Sequence, residues 1–216
     1  MTVDRTLHKY TLGEELISAI SHGIGAILAL IGTILLGLKA ADNGTLPLIS
    51  VIIYGISMTV MYTCSTVYHS LAPNNGKKVM RILDHCFIYA LIIGTYAPFT
   101  LAGIQGWMGI TIFSVVLILG IIGITLTAID MKKYTKFCFI CYLAMGWTII
   151  IAIKPLITAL NSKGLLFLIL GGIIYTIGAV LYGIGKKYKY IHSLWHFFVL
   201  GGSIFLYLSI YFNVIR

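Results

Sequence analysis

Two histidines stand four residues apart in the stretch HSLWH, which opens a hydrophobic run long enough to cross a bilayer. Residues at positions i and i+4 share one face of a helix, so His192 and His196 can bind the same metal ion. Two ligands do not complete a metal site, because a tetrahedral zinc ion takes four ligands, or three and a water where the site is catalytic. The missing ligands must come from other segments that reach the same depth.

The composition is that of a membrane protein. Of the 216 residues, 59% are hydrophobic and only 10% are charged, and the mean hydropathy is +1.00, well outside the range of soluble domains. The chain is basic, but it has no basic stripe with interleaved aromatic residues, so we expect no nucleic-acid partner. The four cysteines lie within or at the ends of apolar runs, which argues against a disulfide framework. The CxxC pair Cys138 and Cys141 is more typical of close helix packing than of a redox or metal site.

Seven apolar runs are long enough to cross the hydrocarbon core as helices. We number them spans 1 to 7, and they cover residues 16–38, 47–70, 80–101, 107–129, 137–153, 164–185 and 191–214. The connectors, such as APNNGKK and DMKKYTK, are too short for another folded domain. Because only helices and closed barrels satisfy the backbone in lipid, we predict an all-α seven-helix transmembrane bundle. It comprises a polar segment, 1–15, and a single transmembrane domain, 16–216. Since the first run has full membrane length, we expect a span and no cleaved signal peptide.

The cations predict the orientation of the bundle. Of the 15 Lys and Arg residues, 11 fall before span 1 or in or next to the loops after spans 2, 4 and 6. By the positive-inside rule, the N-terminus is cytoplasmic and the C-terminus lies outside. The larger group consists of Arg5, Lys9, Lys77, Lys78, Arg81, Lys132, Lys133, Lys136, Lys186, Lys187 and Lys189, and the smaller group of Lys39, Lys154, Lys163 and Arg216.

This topology brings five polar side chains to one depth near the cytoplasmic face. Span 2 runs toward the cytoplasm and carries Ser65 and His69 on one face. Span 3 enters from the cytoplasm with Asp84, and span 7 enters with the histidine pair. Three imidazoles form an incomplete tetrahedral shell, and Asp84 is the natural partner for a water in the fourth position. Zinc is the expected metal, although imidazole ligands also suit copper, iron or nickel.

For three further residues near this depth, Glu15, His22 and His85, we expect roles other than metal ligation. A lone interfacial histidine is more often hydrogen-bonded than a metal ligand, so the metal prediction depends on the whole set. Glu15 and His22 share a face of span 1 that begins on the cytoplasmic side. They are candidates to orient the histidine ligands from behind or to hydrogen-bond a neighbouring helix. His85 lies about 100° around the helix from Asp84, so we expect it to point away from the metal.

The chain resembles the haemolysin III family of bacterial membrane proteins, within the wider progestin and adiponectin receptor (PAQR) group. The matching segments are EELISAISHGIG in span 1, STVYHSLAP in span 2, RILDHCFIYALIIGTYAPF in span 3 and HSLWHFF in span 7. The resemblance implies a seven-helix protein of the bacterial plasma membrane with a cytoplasm-facing zinc site. In that site His69, His192 and His196 hold the metal, and Asp84 reaches it through water. The chain is also similar to the membrane hydrolases that include alkaline ceramidases, in which Ser65 would assist beside the metal.

Three functions remain open at this point. The first is a zinc-dependent hydrolase of a lipid amide or ester: zinc lowers the pKa of bound water to about 7, Asp84 takes its proton, and Ser65 hydrogen-bonds the developing oxyanion. The second is a sensor or regulator of membrane state with a structural zinc. The third is a cytolytic pore, which the family name suggests but which lacks a continuous polar track in the outer halves of the spans. We expect membrane lipids as partners.

Overall fold

The computed structural model describes Leu7, residues 10–185 and residues 188–215. Within these residues it contains seven helices long and apolar enough to cross a membrane, and no strand, so the predicted all-α bundle is confirmed. Spans 1 to 7 run over Leu12–Asn43, Thr45–Ser70, Asn75–Ile104, Gly106–Asp130, Thr135–Ala159, Ser162–Ile184 and Ile191–Val214. We call the end of the bundle at which span 1 begins the cation-rich end.

Some of the residues used for the orientation lie outside the described part of the chain. These are Arg5, Lys9, Lys186, Lys187 and Arg216. Most of the polar segment 1–15 also lies outside it, and the division into that segment and a domain over 16–216 stays a prediction. The placement of the N-terminus in the cytoplasm and the C-terminus outside stays a prediction as well.

Span 1 begins four residues before the apolar run that predicted it. The α-helix starts at Leu12 because Thr11 and Glu14 form a capping box. The Glu14 backbone N–H donates to Thr11 Oγ1 at 3.3 Å, and the Thr11 N–H donates to Glu14 Oε2 at 2.8 Å. The first helical turn therefore carries Glu14 and Glu15 into the bundle, where polar partners from other spans can reach them.

Spans 3 and 5 are not regular α-helices throughout, and span 7 ends in a π-type turn over Ile210–Val214. Span 3 widens into a π-type turn over Pro98–Ile104, which begins with a proline that has no backbone N–H to donate. Span 5 tightens into a 3-10 turn over Thr148–Ala152 and resumes as an α-helix over Ile153–Ala159. It thus extends six residues past the predicted end at 153. Pro155 lies in the first turn of the resumed helix, where no intrahelical hydrogen bond is lost.

Close packing at glycines joins spans 1, 2 and 3. A Cβ atom at Gly55 would collide with Thr33 of span 1, and a Cβ at Gly94 would collide with Ser57 of span 2. Span 7 packs against spans 1 and 6, whereas span 5 packs less extensively against spans 3, 4 and 6. All four cysteines are free. The firmly packed side of the bundle is therefore the side that carries the predicted metal ligands.

Candidate metal centre

The three predicted histidine ligands meet near the cation-rich end. His69, His192 and His196 are buried, and each offers a ring nitrogen within 4.8 Å of those of the other two. His192 Nε2 lies 3.4 Å from His69 Nε2 and 3.3 Å from His196 Nε2. Two nitrogens that bind one tetrahedral zinc ion at its usual bond length must lie about 3.3–3.4 Å apart. The trio is therefore close enough to hold a metal ion, and two of its three nitrogen–nitrogen distances match that spacing.

Glu15 fixes the orientation of one of these imidazoles. Its Oε2 atom lies 2.7 Å from Nδ1 of His69. A carboxylate accepts a hydrogen bond from the protonated ring nitrogen, so Nδ1 carries the proton and Nε2 is left with a lone pair. The other oxygen, Oε1, accepts a hydrogen bond from the Lys77 ammonium at 2.7 Å. Sequence reasoning found Glu15 but missed Lys77, which it had counted as a loop cation.

His22 contacts the site through its ring face. The ring centroids of His22 and His196 are 3.8 Å apart, and Tyr62 meets His22 edge-on at 4.9 Å. Neither ring nitrogen of His22 has a hydrogen-bond partner among the described residues. The sequence left two roles open for His22: to orient the histidine ligands or to hydrogen-bond a neighbouring helix. Such a hydrogen bond is not observed among the described residues, and the His22 ring packs directly on that of His196.

Asp84 and Ser65 are buried near the trio without belonging to it. Asp84 lines a cavity together with His22 and Trp195, and its Oδ2 atom has no hydrogen-bond partner in the described part of the chain. Ser65 is fully buried on the same face of span 2 as His69, and its Oγ atom is likewise unpartnered there. Two buried polar atoms of this kind are costly, which marks them as candidates for a functional role.

His85 stays outside the trio, in agreement with the sequence expectation, but it remains closer to Asp84 than the helix phase suggested. Its Nδ1 atom turns back to the Arg81 carbonyl oxygen at 2.9 Å, one helical turn earlier. In that position it lies 3.6 Å from Asp84 Oδ2. His85 is therefore a neighbour of the carboxylate and not a member of the histidine cluster.

Tyr10 covers the site at the cation-rich end. Its ring stacks on His192 with centroids 4.7 Å apart and planes inclined by 21°. Burial raises the pKa of Tyr10, so its phenol remains protonated over the imidazoles. The segment is anchored by Glu14, whose Oε1 atom accepts a hydrogen bond from the Tyr190 backbone N–H at 2.8 Å. Sequence reasoning missed Tyr10, and its only signal was an aromatic residue directly before a helix cap.

An apolar cavity of about 300 Å³ reaches the site at His22 and Asp84, which line it, whereas the three imidazoles do not. It extends from Asp84 and His22 to Leu165 and Leu206 near the opposite end of the bundle. Its wall includes Ile150 and Ile169, which are about half exposed on the surface of the bundle. The cavity therefore opens sideways between spans 5 and 6, where the protein would face lipid.

Comparison with known proteins agrees with the motifs. The family model described as "Haemolysin-III related" matches residues 10–207. The chain is 39% identical to "Hemolysin-3" of Bacillus cereus over 216 residues, which cover 100% of this chain and 98% of the relative. It is 38% identical to "Hemolysin-3 homolog" of Bacillus subtilis over 208 residues, 96% and 97% of the two chains. A more distant relative, the human "Monocyte to macrophage differentiation factor", is 25% identical over 94% of this chain and 86% of its own.

These matches span the seven apolar helices and include two bacterial proteins of almost the same length. They support a multi-pass protein of the bacterial cell membrane. The resemblance drawn from the four motif segments is confirmed. The chain belongs to the haemolysin III-related family.

Proposed function

We propose that this protein is a zinc-dependent hydrolase that cleaves an amide or ester bond of a membrane lipid. The observation that carries the proposal is the convergence of three buried Nε2 atoms, with that of His192 3.3 and 3.4 Å from the other two. The trio contacts His22, which lines an apolar cavity. Zinc is the metal of the proposal because it accepts imidazole ligands in tetrahedral sites, and the two nitrogen–nitrogen distances are compatible with that geometry.

The buried polar groups around the trio supply the remaining parts of a hydrolytic site. When bound, zinc would act as a Lewis acid and lower the pKa of water to about 7. Asp84 would accept the proton of the attacking water, since its Oδ2 atom makes no hydrogen bond to another described residue. Ser65 would donate its unpartnered hydroxyl to the oxygen that gains negative charge. Glu15 would keep His69 oriented throughout the reaction.

The shape of the cavity supports a lipid as the substrate. Its wall is almost wholly apolar, and it starts at Asp84 and ends near Leu165 and Leu206. An acyl chain that entered between spans 5 and 6 would lie along this wall with its polar end toward Asp84. Burying a methylene group in such a wall contributes about 0.8 kcal/mol, so a long acyl chain would bind favourably.

The proposal is tested by Asp84→Asn in purified protein reconstituted with lipids of the host membrane. The amide is nearly isosteric and leaves the three imidazoles in place, so the variant should retain its zinc. Released fatty acid, measured by mass spectrometry, should fall by about 10²- to 10⁴-fold, as expected on loss of a general base. Ser65→Ala should give a smaller loss.

Asp130→Asn is the matched control, because Asp130 ends span 4 and its carboxylate accepts a local hydrogen bond from the Lys133 N–H at 3.0 Å. It should leave both zinc content and turnover unchanged. If wild-type protein and Asp84→Asn carried equal zinc and left identical lipid profiles, the hydrolase would be refuted. A sensor or regulator of membrane state with a structural zinc would then be the better account.

A lytic activity is the third candidate, because the name of the Bacillus cereus relative, "Hemolysin-3", refers to lysis. The lining of the cavity argues against a conducting pore as the mechanism of lysis. Within the described residues, its lining is almost wholly apolar, and a pathway for ions or water needs polar side chains along its length. We therefore rank it below the other two.

A further inference from the structure

Lys77 occupies a position that ordinary lysines avoid. It lies in the first turn of span 3, where the helix dipole disfavours a positive charge, and it is only 2% exposed. Lysine is almost never buried to this degree unless it is paired. The next residue shows the usual behaviour: the Lys78 ammonium makes an exposed hydrogen bond to Asn75 Oδ1 at 3.3 Å. The burial of Lys77 therefore reflects specific partners.

Those partners lie at the ends of two other spans. The Lys77 ammonium donates to Glu15 Oε1 of span 1 and to the carbonyl oxygen of Leu71, each at 2.7 Å. It also lies 5.2 Å from the centroid of the Tyr68 ring, where a cation is attracted to the aromatic face. Leu71 directly follows span 2 and lies only two residues after His69. Lys77 thus connects spans 1, 2 and 3 next to one of the three imidazoles.

The contacts of Glu15 divide between its two oxygens. Oε1 faces the Lys77 ammonium, and Oε2 faces Nδ1 of His69, both at 2.7 Å. A carboxylate held at one oxygen by a buried cation cannot rotate freely about its side chain, so the direction of the second oxygen is fixed. The direction of that oxygen in turn fixes the ring plane of His69 and leaves Nε2 aimed at the other two imidazoles.

We propose that Lys77 is a positioning residue of the metal centre. Its ammonium fixes the Glu15 carboxylate, and that carboxylate fixes the ring of His69. The inference builds on the zinc site proposed above. Without the ammonium, the carboxylate has another rotamer available to it and the His69 ring loses its fixed orientation. Loss of a partner behind a metal ligand typically lowers metal affinity by about 10- to 100-fold, and we expect a loss of that size for Lys77→Met.

The experiment measures the zinc dissociation constant of the purified full chain by competition with a chromophoric chelator. Wild type, Lys77→Met and the control Lys78→Met are compared, and the control should bind as wild type does. Lys77→Gln keeps a hydrogen-bond donor without the charge, and it should also raise the zinc dissociation constant. It replaces Lys77→Met if that variant does not fold. Cobalt in place of zinc provides a spectroscopic check, because its visible absorption bands should shift when His69 is reoriented.

A double-substitution cycle with Glu15→Gln separates positioning from mere stabilisation of the fold. If Lys77 acts through Glu15, Lys77→Met should change zinc affinity by less than about threefold in the Glu15→Gln background, because the partner is already lost. An unchanged zinc affinity in the single variant, or an equal loss in both backgrounds, would overturn the proposal. Because the readout is affinity and not turnover, a protein that binds zinc but cleaves no lipid would refute the hydrolase while leaving the role of Lys77 intact.

Discussion

Replacing Gly172 by leucine tests whether the apolar cavity holds the acyl chain of a lipid. Gly172 lines the cavity, and a Cβ atom built on it would meet nothing within 4 Å. The new side chain would therefore start in open space at the cavity wall, and we expect it to occupy part of the cavity. Leucine is also favoured over glycine in a helix by roughly 0.5–1 kcal/mol, so the variant should fold.

The expected size of the effect follows from the volume that the side chain takes. An isobutyl group occupies the space of about four methylene groups, each worth about 0.8 kcal/mol on burial, so the bound chain loses about 3 kcal/mol. That loss corresponds to a dissociation constant about 200-fold higher. The ligand is a long-chain fluorescent fatty acid such as cis-parinaric acid, because a fatty acid is a product of either amide or ester cleavage. Binding is followed by fluorescence titration of the purified protein.

The control is Gly37→Leu in span 1, where a Cβ also meets nothing within 4 Å but the residue does not line the cavity. It should bind the fatty acid as wild type does. If Gly172→Leu bound the fatty acid within about threefold of wild type, the cavity would not be the acyl site. Equal losses in both variants would refute the cavity argument too, because they would show an effect of the substitution that does not depend on the cavity.

Two further predictions concern the ligands and the orientation. Purified protein should contain about one zinc ion per chain, and His69→Ala or His196→Ala should lose most of it while His85→Ala does not, as measured by elemental analysis. An equal loss from His85→Ala would show that the ligand set is wrong. A reporter fused after Arg216 that works only outside the cytoplasm should be active, and a cytoplasm-only fluorescent reporter that lit up there would contradict the orientation inferred from the 11 to 4 split of the cations.

The histidine trio could be predicted because two simple rules acted together. The i, i+4 spacing places His192 and His196 on one face, and the alternation of spans brings His69 to the same end of the bundle. Neither rule depends on details of packing. The start of span 1 was harder to predict, because hydropathy marks where a helix enters lipid. The helix itself starts earlier, at the capping box formed by Thr11 and Glu14.

Lys77 and Tyr10 could not be assigned from the sequence, since their roles depend on tertiary neighbours. A lysine in a short polar loop is usually solvated, and only the folded chain brings the Lys77 ammonium within 2.7 Å of Glu15. Likewise, nothing in the order of residues places the Tyr10 ring on His192. The proximity of His85 to Asp84 has a different origin. The helical angle fixes the direction of the Cα–Cβ bond, whereas the side-chain rotamer determines the position of the imidazole ring.

The chain order of the three imidazoles has a consequence for how the protein is made. His69 and His192 meet in space but are 123 residues apart in sequence. At translation rates of about 5–20 residues per second, the ribosome needs roughly 6–25 s between them. During that interval spans 1 to 3 can already assemble around Glu15 and Lys77 with a single imidazole in place. Metal loading must therefore wait until the last span has left the translocon, and a nascent chain stalled before His192 carries only one of the three nitrogens.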